Sequence, residues 1–500
     1  MTRFNARTLI EATADPGSFT PWDMPPELHG HDAGYLDELK RARAKSGTDE
    51  AVLTGRVLVR GQPAAVIVSE FGFLGGSIGR AAAARVAAAV RRATRERLPV
   101  IAAPASGGTR MQEGTPAFVQ MVEITRAVVA HKAAGLPYLV FLRHPTTGGV
   151  FASWASLGHV TFAEPGAFIG FLGPAVYRAL HGQPLPEGVQ TAENLAAHGI
   201  VDAVVPAEGL ADVAGRALTL LSARPLPGRA DGATPASGQP DQAVHARDAW
   251  TAVRLTRRSD RPGVRELLRY AADDVLPLGG TRSAETGDAL LLALTAFAGM
   301  PCVLAGQDRH AQSRHRYLGP AALRAARRGM RIAEELRLPL VCVIDTPGAD
   351  LSVAAEEGGL AGEIARCVAE MVSLTTPTVS VLLGEGAGGG ALALLPSRRV
   401  IAAGNAWLSP LPPEGASVIL HGSRASAPPP APSPSRTETV GVVRLIISAT
   451  QRAISPASPP SSAATDRSAP GVSMTHTRGS RSSSAIRMPR RAARSAAGPR

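Results

Sequence analysis

Apolar and polar positions alternate along the chain in an order that is typical of an α/β protein. Short β-favouring runs, such as Tyr138 to Leu142 and Val379 to Leu383, are separated by long amphipathic stretches, such as Arg80 to Arg97 and Leu323 to Leu336. Strands that alternate with helices of this length form parallel sheets, because a parallel connection needs a crossover segment. We therefore predict an α/β fold with ligand sites at the carboxyl ends of the strands.

The same order of elements occurs twice. A β pair, a long helix and a strand lead to the polar turn from Ser106 to Arg110, and a returning helix and a strand then lead to Gly148 and Gly149. The second half repeats this order as far as Gly389, which lies 240 positions after Gly149 (389 minus 149). A series of elements repeated at a fixed spacing predicts two tandem domains of one fold.

We expect five segments along the chain. They are an N-terminal helical extension (1–50), a first domain (51–221), a linker (222–247), a second domain (248–420) and a tail (421–500). The linker is rich in proline, glycine and alanine and has no hydrophobic periodicity, which is typical of a flexible connection.

The tail differs in composition from the rest of the chain. Of the net charge of +12, residues 421–500 carry +10, because they contain 12 arginines and two acidic residues, and they also contain 16 serines and 11 prolines. This composition buries too little apolar surface to offset chain entropy, so the tail is predicted to be disordered. Its abrupt start suggests a reading-frame shift near codon 421, which would leave the second domain incomplete. A natural basic tail that binds acidic lipid or nucleic acid is the alternative.

The remaining composition excludes several function classes. The net charge of residues 1–420 is only +2 (12 minus 10), so we expect no nucleic-acid partner. No apolar stretch reaches the roughly 18 residues of a membrane span, and no signal peptide is visible, so we predict a cytoplasmic protein without a membrane partner. The three cysteines form neither a disulfide framework nor a zinc site and are expected to be buried, and no metal is expected.

The segment from Gly384 to Gly390 follows a predicted strand and precedes a predicted helix that opens at Ala391. Glycines at such a turn remove every Cβ, so a ligand can approach N–H groups that have no partner inside the helix. Such a place suits an anion or a developing oxyanion. Tight packing without a ligand is the alternative, but the similar turn at Gly148 and Gly149 favours a shared function.

A dinucleotide site is a further alternative for this segment. Gly384, Gly386 and Gly389 match the G-x-G-x-x-G pattern. The nearest downstream acidic residue is Glu414, which lies beyond four prolines, whereas a ribose-binding carboxylate should end the second strand. The pattern therefore gives little support to a nicotinamide-dependent dehydrogenase.

The motifs of the two halves resemble those of a known enzyme family. Segments 106–113 (SGGTRMQE) and 145–150 (PTTGGV) resemble the β subunit of bacterial acetyl-CoA carboxylase carboxyltransferase. Segments 345–349 (DTPGA), 384–393 (GEGAGGGALA) and 409–415 (SPLPPEG) resemble its α subunit. Fused in one chain, they resemble single-chain acyl-CoA carboxylase carboxyltransferases, which are built from two tandem crotonase-like domains.

The resemblance implies transfer of a carboxyl group from carboxybiotin, on a separate carrier protein, to the α-carbon of an acyl-CoA. Carboxybiotin releases CO₂, the ureido oxyanion removes the α-proton of the thioester, and the enolate attacks CO₂. Two oxyanions form, and each needs N–H donors. The resemblance places Gly148 and Gly149 at the thioester enolate, and Gly389 and Gly390, with Gly388, at the biotin carbonyl.

The resemblance also places Gly107, Gly108, Thr109 and Arg110 at the acyl-CoA substrate. A structural ion pair is the alternative for Arg110. Asp345 follows a predicted strand and could act as a general base in a hydrolase, but helix capping or turn formation is the favoured interpretation. Five histidines without ligand spacing are interpreted as surface or structural groups: His144, His181, His198, His310 and His315.

The resemblance implies partners as well. They are a biotin carboxylase and a biotin carboxyl carrier subunit, together with a homo-oligomer whose active sites lie between subunits. Acetyl-CoA, giving malonyl-CoA for fatty acid biosynthesis, is the expected substrate. Propionyl-CoA or another acyl-CoA is the nearest alternative, and a non-catalytic assembly subunit is a second. The chain departs from the family in its tail and in lacking the four-cysteine zinc ribbon of many β subunits, since no cysteine precedes Cys302.

Sequencing the gene across codons 410 to 430 tests the reading-frame hypothesis. We expect a one-base correction to restore a segment that resembles residues 196–205 (AAHGIVDAVV), because the family continues with such a segment. If no one-base correction restores it, the tail is a natural feature of this protein.

Overall fold

The computed structural model describes residues 4–27, 32–171, 183, 186–222, 249–281, 285, 289–312, 317–410 and 412–413. Residues 223–247 of the predicted linker and the whole predicted tail lie outside the described residues. The chain divides into two compact units, Met1–Pro456 and Ala457–Arg500, and every described residue belongs to the first.

The first half is an α/β domain. Its helices are α1 (Ala6–Thr13), α2 (Ala33–Ser46), α3 (Arg80–Arg95), α4 (Gly114–Ala133), α5 (Gly148–Phe151), α6 (Ala192–Ala197) and α7 (Leu210–Ser222). Its strands are β1 (Thr20–Pro21), β2 (Val52–Val59), β3 (Gln62–Ser69), β4 (Val100–Ala103), β5 (Tyr138–Leu142), β6 (Thr146–Thr147), β7 (Val160–Ala163), β8 (Ile169–Gly170) and β9 (Ala203–Val204).

A seven-stranded sheet forms the centre of this half, in the order β1-β2-β3-β4-β5-β7-β9. Strand β2 is antiparallel to both of its neighbours, β1 and β3, and every neighbouring pair from β3 to β9 is parallel. Strands β6 and β8 form a separate parallel pair beside the first glycine turn. The hairpin and parallel crossovers confirm the predicted fold class.

The second half repeats the plan. Its helices are α8 (Ala249–Thr256), α9 (Val264–Ala271), α10 (Arg309–Gln312), α11 (Pro320–Leu336), α12 (Val353–Glu357), α13 (Leu360–Ser373) and α14 (Gly388–Leu392). Its strands are β10 (Asp274–Pro277), β11 (Leu290–Phe297), β12 (Met300–Gln307), β13 (Leu340–Thr346), β14 (Thr378–Ala387), β15 (Arg399–Ala402) and β16 (Trp407–Ser409). The sheet order is β10-β11-β12-β13-β14-β15, and β16 pairs with the end of β14.

One predicted boundary in the second half was wrong. The strand β14 continues to Ala387, and the next helix begins at Gly388 rather than at Ala391. The low helix propensity of glycine favours a loop over this segment. The parallel pairing of Gly386 with Leu408 and of Ala387 with Ser409 instead keeps the segment extended up to the turn. The first N–H groups of the helix therefore belong to the glycines themselves.

The N-terminal extension packs on the first sheet. Ala6, Leu9 and Ile10 of α1 are buried in the main apolar core. The Ala6 N–H donates to Glu70 Oε2 at 2.8 Å, and β1 pairs with β2 as an antiparallel edge strand. The three cysteines are buried without disulfides, as predicted, and burial raises the pKa of Cys367 to about 12.

Buried polar contacts join the two halves. The Arg328 guanidinium of α11 donates to Asp202 Oδ1 and Oδ2 at 2.8 and 3.0 Å, and both side chains are almost fully buried. The Tyr138 N–H donates to His159 Nδ1 at 3.0 Å, so Nε2 carries the ring proton and faces Glu335 Oε2 at 3.0 Å. Burial lowers the pKa of His159 to about 4, so this histidine is neutral at pH 7.

Replacing Asp202 tests whether this contact stabilises the chain. In the variant Asp202→Asn the Arg328 charge stays buried without a counter-charge, and we expect the free energy of unfolding to fall by about 3–5 kcal/mol in a denaturant titration. Adding Arg328→Met should recover part of that loss, because the unpaired charge is removed. The control Asp212→Asn, which breaks an exposed pair with Arg60, should change stability by less than about 1 kcal/mol. Equal effects of the two Asp→Asn substitutions would contradict the account.

Candidate active site

The first glycine turn lies where the small β6–β8 pair meets α5. Thr147 is extended, and Gly148 follows with a φ of +61°, in the left-handed region that favours glycine. A Cβ added to Gly148 would lie 3.4 Å from the Cα of Gly108. The predicted substrate turn (residues 107–110) and the predicted enolate turn (Gly148 and Gly149) are therefore in contact through Gly108 and Gly148.

The second glycine turn has the same backbone geometry. Ala387 is extended, and Gly388 has a φ of +59°. A Cβ on Gly389 would lie 2.7 Å from Ile364 Cδ1, and one on Gly390 would lie 3.3 Å from the backbone N of Ala349. Close packing thus disfavours a side chain at the second and third glycines, while the left-handed φ favours glycine at the first.

The two turns align residue by residue. Their left-handed glycines, Gly148 and Gly388, are equivalent, so Gly149 corresponds to Gly389 and Val150 to Gly390. In both turns the first two residues are partly exposed and the third is buried. Backbone at these glycines is thus within reach of a ligand.

The N–H groups of the first turn differ in availability. The Gly148 N–H donates to the Phe171 carbonyl at 3.0 Å. Within the described part of the chain, the N–H groups of Gly149 and Val150 donate to no acceptor. Sequence reasoning missed Val150, because it searched for glycines, whereas any residue other than proline supplies a main-chain N–H. Its position next to two glycines was the signal available.

Two N–H groups of the second turn are available by the same criterion. Gly389 and Gly390 donate to no acceptor among the described residues, whereas Gly388 directly follows the pairing of Ala387 with Ser409. The structure therefore brings the three predicted residues together in one N–H-lined turn. It also gives Gly389 and Gly390 the same local arrangement as Gly149 and Val150.

The predicted substrate turn is held by short-range contacts. The Gly108 N–H donates to Ser106 Oγ at 3.0 Å, and in the second half the Gly348 N–H donates to Thr346 Oγ1 at 3.1 Å. Gly107 donates to the Gly75 carbonyl at 2.9 Å and is itself exposed. This turn is thus a structural unit that is repeated beside each glycine turn.

Thr109 and Arg110 complete the substrate turn in different ways. Thr109 pairs with Ile78 in an isolated parallel bridge, and its Oγ1 lies 3.3 Å from the place of a Cβ on Gly149. Arg110 has only 1% of its side chain exposed and points away from solvent. Of the two residues, Thr109 is the one beside the first glycine turn.

The Arg110 side chain lies in a buried network. Its guanidinium donates to Glu50 Oε1 and Oε2 at 2.5 and 3.1 Å and to the Ser77 carbonyl at 2.7 Å. The Tyr35 hydroxyl lies 3.3 Å from Arg110 Nη1 and donates to Glu113 Oε1 at 2.6 Å. Burial opposes the charge of Arg110, but the pairing with Glu50 raises its pKa above the usual value. The geometry fits the ion-pair alternative for this arginine.

Asp345 is neither a helix cap nor a free base. Its carboxylate accepts from Arg261 at 2.5 and 2.8 Å, and its Oδ1 accepts from the Glu385 N–H at 3.2 Å. Asp345 is 1% exposed. Sequence reasoning missed this ion pair because Arg261 lies 84 positions away in the chain.

The histidines have structural contacts. The Phe168 N–H donates to His144 Nδ1 at 3.1 Å. His198 contacts the Asn194 carbonyl at 2.8 Å, and His310 Nε2 lies 3.3 Å from Glu266 Oε2. The predicted residues His181 and His315 lie outside the described residues.

The described residues contain neither a candidate metal site nor a candidate membrane span. These residues contain no group of three or more histidine, cysteine or acidic side chains placed to hold a metal ion. No helix in the same part of the chain combines the length and the apolar character of a membrane span.

The tandem α/β halves and their matched glycine turns define a duplicated crotonase-like protein. In each half a left-handed glycine opens a short helix, and its first two residues are partly exposed. The chain belongs to the carboxyl transferase domain family, whose sequence profile matches residues 1–437. The predicted carboxyltransferase family is thereby confirmed.

Similar proteins from other organisms agree with this family. A Mycobacterium tuberculosis (strain ATCC 25618 / H37Rv) protein named "probable biotin-dependent acyl-coenzyme A carboxylase beta3 subunit" is 56% identical over 427 residues, which are 85% of each chain. A Salinispora arenicola protein named "acetyl-coenzyme A carboxylase carboxyl transferase subunits beta/alpha" is 39% identical over 447 residues, 85% of this chain and 78% of the relative.

Solved structures share the fold. The transcarboxylase 12S crystal structure with methylmalonyl-coenzyme A and methylmalonic acid bound has a TM-score of 0.69 at 19% identity, covering 89% of this chain and 83% of its own. A single-chain, multi-domain long-chain acyl-CoA carboxylase has a TM-score of 0.67 at 21% identity, covering 89% of this chain and 43% of its own. Both agree with the predicted fold class.

The Tyr35 hydroxyl offers a test of the buried network. Because it joins Arg110 to Glu113, Tyr35→Phe should lower the free energy of unfolding by about 1–2 kcal/mol in a denaturant titration. The control Tyr270→Phe, at a side chain that is 67% exposed, should change it by less than about 0.5 kcal/mol. A Tyr35→Phe variant as stable as the control would show that the network adds nothing to stability.

Proposed function

We propose that the chain transfers a carboxyl group from carboxybiotin, carried on a partner protein, to the α-carbon of an acyl-CoA, with acetyl-CoA as the preferred acceptor. The observation that supports this most directly is the repeated turn. Each half offers at least two adjacent N–H groups without acceptors in the described chain. The reaction develops two negative oxygens, one on the thioester and one on the biotin ureido group.

The first turn is the proposed thioester site. Gly149 and Val150 supply N–H donors to the enolate oxygen, and Gly148 sets the backbone direction through its left-handed φ. The Gly148 N–H is held by Phe171, so it joins the donor set only if that bond opens. Each well-aimed donor contributes about 3 kcal/mol to transition-state stabilisation.

The second turn is the proposed biotin site. Gly389 and Gly390, with Gly388, direct N–H groups to the ureido oxygen. Carboxybiotin supplies the CO₂ and, after its release, the base that removes the α-proton. The chain itself then needs no acidic or basic side chain at the reacting atoms, which agrees with the engagement of Asp345 by Arg261.

The substrate turn is proposed to line the acyl-CoA path. Gly107 is exposed, Gly108 contacts Gly148, and Thr109 lies beside Gly149. Arg110 has the role of fixing this turn through Glu50 rather than that of meeting a CoA phosphate, since its donors are used inside the protein.

Exposed apolar side chains near both turns support an oligomer. Met111 and Leu351 occupy equivalent positions after the substrate turns and are 81% and 92% exposed. Helix α4 adds exposed Phe118 and Val122, and Phe171 follows the first turn. Patches of this kind mark protein interfaces. We propose that a second copy covers them, with a biotin carboxylase and a carrier subunit as further partners. Transcarboxylase 12S, which shares the fold, is described as a hexamer assembly.

Fewer observations bear on the acyl group of the substrate than on the carboxyl transfer itself. Among the relatives, one name gives acyl-coenzyme A and the other acetyl-coenzyme A. Propionyl-CoA is therefore the second candidate, and a non-catalytic assembly subunit is the alternative from another class. The predicted role in fatty acid biosynthesis follows only if the product is malonyl-CoA.

The reverse reaction, with free biocytin as carboxyl acceptor, tests this function without the partner subunits. We expect the full chain to decarboxylate malonyl-CoA faster than methylmalonyl-CoA. Faster decarboxylation of methylmalonyl-CoA would instead indicate that propionyl-CoA is the preferred acceptor in the forward reaction. No turnover of either thioester would support the assembly subunit.

Two substitutions at Gly149 test the donor role in the same assay. Both Gly149→Pro and Gly149→Ala add a Cβ near Thr109 Oγ1, but only proline removes the N–H. We expect Gly149→Pro to lower kcat by about 100-fold or more, as loss of one oxyanion donor does, and Gly149→Ala by less than about 10-fold. Equal kcat values for two folded variants would exclude this N–H as a donor.

A further inference from the structure

The side chain of Gln307 links the second glycine turn to its neighbouring strand. Gln307 is the last residue of β12 and is 0% exposed. Its Nε2 donates to the Gly390 carbonyl at 2.7 Å, and its Oε1 accepts from the Asp345 N–H at 2.9 Å. Both ends of one buried amide are therefore bonded to main chain, one of them on the proposed oxyanion helix.

The end of β13 at Asp345 and Thr346, to which Gln307 is bonded, makes several further hydrogen bonds. Gln312 Nε2 donates to the Asp345 carbonyl at 3.1 Å, and the Thr346 hydroxyl donates to Gln312 Oε1 at 2.6 Å. The Asp345 carboxylate accepts from Arg261 and from the Glu385 N–H. Gln307 therefore connects Gly390 to a rigid point and not to a mobile loop.

The glycine helix needs such an anchor. Three consecutive glycines, Gly388 to Gly390, have no side chain that could fix their peptide planes, and glycine loses more backbone entropy on ordering than any other residue. A larger residue would be crowded at Gly390, because a Cβ would lie 3.2 Å from Leu318 Cδ2 and 3.3 Å from the Ala349 N. A contact from outside the helix can supply the constraint that a side chain would otherwise give.

In the first half, the third residue of the glycine turn is held by a different kind of contact. This residue is Val150, whose buried side chain packs in the core. The last residue of β3, equivalent to Gln307 at the end of β12, is Ser69, whose side chain is shorter than that of glutamine. Its buried Oγ has no hydrogen-bond partner among the described residues. Core packing fixes the first turn, and a hydrogen-bonded amide fixes the second.

We propose that Gln307 is a positioning residue for carboxyl transfer at the biotin side of the site. This inference rests on the proposed function. By holding the Gly390 carbonyl, Gln307 fixes the Gly390–Ala391 peptide plane at the end of the glycine triplet. This limits the rotation of the two preceding planes, which carry the Gly389 and Gly390 N–H groups directed at the ureido oxygen. It touches neither substrate, and it acts only through the backbone of the turn.

The matched pair Gln307→Met and Gln312→Met tests this role in the full chain. Both remove a buried amide that bonds to Asp345, but only Gln307 contacts the glycine helix. In reverse carboxyl transfer from malonyl-CoA to biocytin, Gln307→Met should lower kcat by about 10- to 100-fold, since small misplacements of catalytic groups have effects of this size. The KM for malonyl-CoA should change less than about twofold, because the thioester turn is intact.

The control separates positioning from general destabilisation. Gln312→Met should lower kcat by less than about threefold, because the bond between Gln307 and the Gly390 carbonyl is kept and the glycine turn is not displaced. If Gln307→Met retains wild-type kcat, or if the two variants lose kcat equally, the proposed role is wrong.

Backbone amide hydrogen exchange gives a readout that does not require activity. In Gln307→Met, the peptide covering residues 384–395 should exchange at least about 10-fold faster than in the wild type, while residues 144–154 keep their rates, because local opening becomes easier only in the second turn. Unchanged exchange in 384–395 would overturn the anchoring role. If the wild type shows no carboxyl transfer, the proposed function fails, but this exchange comparison still decides whether Gln307 fixes the turn.

Discussion

A main-chain constraint determines the rest of this structure: a strand must end and a helix must begin within one residue, with the next N–H groups left open to a ligand. In both halves a single left-handed glycine, Gly148 or Gly388, makes this change of direction. A side chain with a Cβ is disfavoured at that φ, and close packing restricts its neighbours. The sheets, the crossover helices and the polar turns at Ser106 and Thr346 hold these two points in place.

The two halves support their turns by different chemistry. In the first half, Arg110 and Glu50 form a buried pair that ties the substrate turn to the N-terminal extension, and Val150 fixes the glycine turn by packing. In the second half, Asp345 and Gln307 provide hydrogen-bonded anchors. The two turns thus share their backbone geometry but differ in the side chains that surround them. This difference agrees with the proposal that they serve different oxygens in one reaction.

Sequence patterns predicted the fold well, because strand and helix periods are local properties. The strand Tyr138–Leu142 was predicted with its observed bounds, and the repeat was visible from glycine spacing. The start of α14 was missed because pairing with β16, a long-range contact, keeps the preceding residues extended. Contacts such as Arg328 with Asp202, or Gln307 with Gly390, join residues 126 and 83 positions apart. No local pattern encodes such pairs. The two glycine turns were visible in the sequence pattern, whereas their assignment to the two oxygens came from a family resemblance and is a proposal.

The most direct test of the central claim is a structure of the full chain with an acyl-CoA and biocytin bound. The account predicts the thioester oxygen within about 3 Å of the Gly149 N–H of one copy, a usual hydrogen-bond length. It also predicts the ureido oxygen at the same distance from the Gly389 or Gly390 N–H of a neighbouring copy. A complex in which both oxygens meet side chains elsewhere, with these N–H groups facing only protein, would contradict it.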